Sequence, residues 1–176
     1  PGKQCVQGLV NLLPTSEEIG GNVIIPGSHK FFENLPNEYE ERLSRLPLDI
    51  DHFRFPNDDP KLSSSKAVMC HMEPGDLLLW DSRTIHCSNS GSKLDKETTD
   101  LIRAASLICM MPKNLSSEDI LEQRREAVEK LISTTNWTNS FRNADEFPLI
   151  LEAKDRDKYK WPKKPKLSDY QKSLID

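Results

Sequence analysis

The run Pro74-Gly75-Asp76-Leu77-Leu78-Leu79-Trp80-Asp81-Ser82-Arg83-Thr84-Ile85-His86, with Arg103 beyond it, constrains this chain more than any other part. A Pro-Gly turn leads into an apolar strand, and a histidine stands at the start of the next. A polar loop then leads to an arginine on a further strand. That order suits a metal site at the mouth of a small β-barrel. A neutral imidazole there ligates a divalent iron, and a guanidinium deeper in the barrel clamps a carboxylate through two parallel hydrogen bonds. Such an iron site needs a second histidine and a carboxylate, and no good pair for His86 lies in these 176 residues.

The rest of the chain reads as β first and helix later. Strands are expected at residues 5–13, 22–25, 67–72, 77–80, 85–88 and 101–111, split by Pro-Gly turns at Pro26-Gly27 and Pro74-Gly75. A helical pattern covers 33–46, with Tyr39, Leu43 and Leu46 on one face, and 47–65 reads as an irregular loop. A single clean amphipathic helix is expected near 117–133, with Ser116 as its N-cap. Short strands with Gly and Pro turns imply an antiparallel sandwich or barrel with a helical appendix. A jelly roll uses about eight strands, so six imply that one or two lie upstream of Pro1. The chain starts without a Met, almost directly in a strand, and is expected to be a fragment.

Composition closes off several classes. A chain of this length buries one sizeable core. With 30% charged residues and a net charge of −4, it has no general attraction for nucleic acid. No apolar run approaches the roughly 18 residues of a membrane span. The segment 154–166 holds seven Lys or Arg, but Asp155 and Asp157 interrupt it, so a solvated, Pro-stiffened tail is the expectation. The cysteines, Cys5, Cys70, Cys87 and Cys109, are widely spaced and form no CxxC pair, as expected of reduced thiols in an intracellular, cytoplasmic protein.

The other three histidines are weaker candidates. His29 follows a Pro-Gly-Ser turn and His52 sits in a charged loop. His71-Met72-Glu73 has the form of a His-x-carboxylate pair, but Glu73 sits at the turn, at the far end of the intervening strand from His86. His86 is followed by the small polar residues Ser88, Asn89, Ser90 and Gly91, which keep a pocket mouth open. Arg103 in so apolar a stretch is costly unless paired, which leaves either an edge position in water or a guanidinium awaiting an anion.

Several blocks in this order carry a resemblance: Val6-Gln7-Gly8-Leu9-Val10-Asn11-Leu12, Gly20-Gly21-Asn22-Val23-Ile24-Ile25-Pro26-Gly27-Ser28-His29-Lys30, Pro74-Gly75-Asp76 through His86, and Arg103. Together they resemble the phytanoyl-CoA dioxygenase family of iron(II)- and 2-oxoglutarate-dependent oxygenases. The resemblance covers residues 1–112 well and the C-terminal stretch less specifically. It implies an N-terminally truncated double-stranded β-helix (a cupin-like jelly roll, mainly β with helical additions). Residues 1–112 would form the C-terminal part of the oxygenase core, and 113–176 a helix and extended tail packed on it.

The same resemblance implies the site. His86 matches the distal iron-ligating histidine, Arg103 the arginine that binds the far carboxylate of 2-oxoglutarate, and Ser88 a hydroxyl that assists it. Gln7 falls where some members place a cosubstrate-contacting side chain. His29 belongs to the signature without being a ligand. The proximal His-x-Asp stands, in the family, just before the stretch that begins here at Pro1. The loop 89–100 is longer than in many members. Fe(II) and 2-oxoglutarate are the implied cofactor and cosubstrate. The implied reaction is oxidative decarboxylation to succinate and carbon dioxide, coupled to hydroxylation of a C–H bond in a small-molecule or acyl substrate. Two of three metal ligands being absent, the piece itself would be inactive. A non-catalytic jelly-roll binding module and a related iron halogenase are the alternatives, and the upstream triplet distinguishes all three.

Overall fold

The computed structural model describes residues 5–46, 52–63, 66–92, 101–130, 132, 134, 137–141 and 166–174. The chain divides into two compact units, Pro1–Cys109 and Met110–Asp176. The first is built on small antiparallel sheets. Its strands are β1 (Val6–Asn11), β2 (Gly21–Ile24), β3 (Val68–Cys70), β4 (Leu77–Asp81), β5 (His86–Asn89) and β6 (Ala105–Met110). They form two three-stranded sheets, in the orders β4-β1-β6 and β3-β2-β5. In each, the earliest strand is central and later strands flank it.

Alternation along β1 sets the core of the first sheet. Leu9 and Asn11 point to the buried side, and Leu9 lies directly opposite Leu78. Leu77 and Leu79, one step out of phase, are exposed. Gly8 is required where it stands, because a Cβ there would come within 2.5 Å of the Leu78 carbonyl oxygen. The two sheets are tied at a polar corner. Asn11 is fully buried and its Nδ2 donates to the carbonyls of Leu13 (2.6 Å) and Met72 (3.1 Å). The Thr15 hydroxyl accepts from Met72 N–H at 2.8 Å and donates to Cys70 O at 3.1 Å. The Asn11 amide nitrogen and the Thr15 hydroxyl are thus paired with backbone, as buried polar groups require.

The elements differ from the sequence expectation mostly at their ends. The last strand starts at Ala105 rather than 101, so Arg103 lies in the extended run ahead of it. The helical pattern at 33–46 resolves into a 3₁₀ stretch, Ser28–Asn34, and two short helices, α1 (Leu35–Glu38) and α2 (Glu40–Ser44). The break falls at Tyr39, whose ring packs tilted against Phe53 and edge-on against Phe55, with centroids 5.0–5.6 Å apart in all three pairs. That aromatic cluster, with the Tyr39 hydroxyl donating to the Asp59 carboxylate, organises a stretch whose composition reads as irregular.

In the second unit, α3 (Glu118–Lys130) buries Leu121 and Ala127. Its cap is Ser117, not Ser116: the Ser117 hydroxyl accepts from Ile120 N–H at 3.3 Å, while Ser116 donates to Thr138 O at 3.1 Å. A short terminal helix, α4 (Asp169–Ser173), is closed by a reciprocal capping box between Ser168 and Gln171. The basic segment 154–166 lies outside the described residues except for Lys166, as does 93–100 of the long loop. Among the described residues, no helix is long and apolar enough to cross a membrane.

Candidate metal and cosubstrate site

His86 opens β5, and three local devices hold it there. The β4–β5 turn is fixed by Asp81 and Arg83. Arg83 Nε and Nη2 donate to the two carboxylate oxygens at 2.9 and 2.7 Å, and Arg83 N–H donates to Oδ1 at 3.0 Å. Both side chains are mostly buried, and the guanidinium holds the Asp81 carboxyl at about 2. The turn continues into buried Thr84, whose N–H donates to Asp81 O at 2.8 Å. On the other side, Ser28 is 1% exposed and its hydroxyl accepts from Ile85 N–H at 2.8 Å. Ile25 N–H donates to Ile85 O at 2.9 Å. In the Pro26-Gly27-Ser28-His29 block, then, the serine docks directly onto the strand that carries His86.

The His86 ring is set by the backbone. Nδ1 lies 2.7 Å from the Thr84 carbonyl oxygen. A carbonyl only accepts, so Nδ1 carries a proton, and in the neutral ring Nε2 presents the lone pair. This is the tautomer that metal-binding histidines adopt when a carbonyl engages the second nitrogen. The ring stands 5.2 Å from that of Trp80, tilted by 55°. Trp80 belongs to the other sheet, directly opposite Gln7, and its Nε1–H donates to Gln7 Oε1 at 3.2 Å. Gln7, Trp80 and His86 thus form one connected group spanning the two sheets.

Register places Ser88. In the β2–β5 ladder, His86 lies opposite Ile24 and Ser88 opposite Asn22, so all four share a face. Asn22 is 6% exposed, also lies opposite Cys70, and its Nδ2 is buried with no hydrogen-bond partner among the described residues. A buried amide donor beside Ser88 is a feature that sequence reading passed over; its signal was a lone polar residue in Gly-Gly-Asn-Val-Ile-Ile. Trp80 and Ser28 were seen only as a strand end and a motif letter. Arg103 is half-buried, next to Ala104, whose carbonyl accepts Leu12 N–H at 3.0 Å just past the end of β1.

His29 lies near enough to Asp81 to act on its carboxylate, while His71 stands elsewhere. His71 Nε2 pairs with Glu17 Oε1 at 2.9 Å on the surface, and Glu73 N–H donates to Asp76. Among the described residues no group of three or more His, Cys, Asp or Glu is placed to hold a metal ion. His86 Nε2 could serve such an ion as a single nitrogen donor, and the described residues place no second ligand beside it.

Comparison with known proteins defines the class. The family model described as "Phytanoyl-CoA dioxygenase (PhyH)" matches residues 1–93. The chain belongs to this family of oxygenases, whose members are generally Fe(II)- and 2-oxoglutarate-dependent. It is 35% identical over 147 residues to "Ava biosynthesis cluster protein O" of Aspergillus versicolor, an alignment covering 77% of this chain and 44% of that protein. The chain thus spans less than half the length of the curated relative it matches. Among solved structures it is similar to apo HygX from Streptomyces hygroscopicus, with a TM-score of 0.38, 22% identity, and coverage of 62% of this chain and 38% of that one.

Proposed function

We propose that this chain is the distal-histidine part of a jelly-roll dioxygenase that uses Fe(II) and 2-oxoglutarate to hydroxylate a C–H bond of a small or acyl molecule. The observation that carries the reading is the His86 tautomer: Nδ1–H is committed to the Thr84 carbonyl, leaving Nε2 as a ligand beside the Trp80–Gln7 pair. The sheet orders support a jelly roll, since two small sheets each pair strands far apart in sequence, as its two-sheet layout requires.

In this reading His86 holds the iron, together with a histidine and a carboxylate outside the described residues. The bound metal supplies the oxidative chemistry. The residues of this chain bind and orient. Arg103 offers a planar fork for the far carboxylate of 2-oxoglutarate, and the Ser88 hydroxyl and Asn22 amide add neutral donors from one face of the second sheet. Gln7, held by Trp80, lines the metal side, and the indole flanks one side of the imidazole, which is otherwise open to solvent. The substrate is a small molecule; neither nucleic acid nor a membrane enters the reading.

The test uses the whole protein. Anaerobic calorimetry should show Fe(II) binding that His86→Ala abolishes, followed by 2-oxoglutarate binding that requires the metal. Iron binding without 2-oxoglutarate binding would overturn the cosubstrate reading. Absence of both would favour a non-catalytic binding module. Chloride-dependent 2-oxoglutarate consumption would make it a halogenase.

A further inference from the structure

Cys5 and Cys109 are 104 positions apart in sequence, yet their Sγ atoms lie 3.2 Å from each other. Cys5 immediately precedes β1 and is 3% exposed; Cys109 is the penultimate residue of β6 and half-buried. The two strands are hydrogen-bonded neighbours. Neighbouring strands run about 4.7–4.9 Å apart, inside the Cα separation of about 4.4–6.8 Å that a disulfide accepts. An S–S bond of about 2.05 Å requires the sulfurs to close by only about 1.2 Å. The other two cysteines provide a built-in contrast. Both belong to the second sheet: Cys70 lies opposite Asn22 and Cys87 opposite Val23, so they point to opposite faces and cannot bridge.

We propose that Cys5 and Cys109 form a redox-controlled disulfide that clamps the edge strand β6 to β1, with a peroxide as oxidant. The half-buried Cys109 is the sulfur that peroxide reaches. Its thiolate displaces water from hydrogen peroxide as the O–O bond breaks, giving a sulfenic acid. The Cys5 sulfur then attacks that sulfur, the S–O bond breaks, and a second water leaves. Two thiols and one peroxide become one disulfide and two waters, and a dithiol reductant reverses the change. The cross-link closes a loop spanning nearly the whole first unit, so it restricts the unfolded chain strongly. It also ties Gln7, two residues after Cys5, to the strand that follows Arg103. The proposal does not depend on the functional reading above.

The experiment treats the reduced whole protein with equimolar hydrogen peroxide and maps its peptides without reduction. A Cys5–Cys109 linked peptide is expected, two hydrogens lighter than the sum of its parts. Tm should rise by about 5 °C or more, and dithiothreitol should restore both values. Cys109→Ser should abolish the linked peptide and the Tm rise, while Cys87→Ser leaves both intact. Cys5→Ala repeats the test from the other sulfur, and the half-buried position of Cys109 keeps it available should the Cys5 variant not fold. Oxidation of Cys109 to sulfinic acid without a linked peptide, or linkage mainly through Cys87, would overturn the proposal.

Discussion

A histidine ligand is only as good as the atoms that orient it, and those around His86 are largely backbone. The Thr84 carbonyl sets its tautomer and Ser28 holds the adjoining peptide. Ser28→Ala leaves Ile85 N–H without its acceptor, which should cost about 1–3 kcal/mol in denaturant unfolding. In the same variant Fe(II) affinity should fall although no ligand has been touched; unchanged affinity would remove Ser28 from the positioning role. Arg103 carries the cosubstrate proposal. Arg103→Ala in the whole protein should weaken 2-oxoglutarate binding by roughly tenfold to a hundredfold. Arg103→Lys should recover part of that, because it keeps the charge and loses the fork. Equal affinity in all three proteins would place the guanidinium outside the site.

At the scale of elements, the β4–β5 turn and the β2–β5 ladder do the positioning. The turn makes a pH prediction. Asp81 is held at about 2, against an ordinary value of 3.8, by the Arg83 guanidinium, with burial opposing. A carboxyl with a lowered folded-state pKa contributes stability that is complete above about pH 4 and is lost as pH falls toward 2. The contribution is on the order of 2 kcal/mol. Urea unfolding between pH 5 and 2 should show this loss in the native protein and a flatter profile in Arg83→Met. In the ladder, Asn22→Leu should stabilise the unliganded protein, because a buried amide donor lacking a partner is replaced by a packed side chain. The same change should weaken 2-oxoglutarate binding by about tenfold; a gain in stability with unchanged affinity would make Asn22 purely structural. In α3, Ser117→Ala should cost about 1 kcal/mol of helix stability by circular dichroism and Ser116→Ala less, as the observed cap requires.

At the scale of the whole molecule, the chain covers 44% of its curated relative, and among the described residues no group of three or more His, Cys, Asp or Glu is placed to hold a metal ion. The 176-residue chain alone should therefore bind Fe(II) weakly, and a longer protein with a His-x-Asp should bind tightly in anaerobic titration. Tight binding by the short chain, lost in His71→Ala, would restore the His71–Glu73 pair as ligands.

What the sequence by itself determined is local. Strand placement followed from period-two apolar runs between Pro-Gly turns, and all six expected strands form, with ends shifted by a few residues. The largest shift is at 101–104, where Leu101 and Ile102 look like strand but sit ahead of the pairing that defines β6. Helix 33–46 breaks at Tyr39, where the ring meets Phe53 and Phe55, a contact no local window contains. The roles expected of His86, Ser88, Arg103 and Gln7 came from a family resemblance carried by short motif blocks, and the structure links Gln7 to His86 through Trp80. Tertiary structure alone decided which neighbours those residues meet. The meeting of Cys5 with Cys109, Asn22 with Ser88, Ser28 with Ile85 and Gln7 with Trp80 depends on strand register across the sheets or on docking between distant segments. A one-residue slip in register would turn every such side chain to the opposite face. Register is set by the summed burial of the two sheets, so it belongs to the folded whole and is written in no single segment.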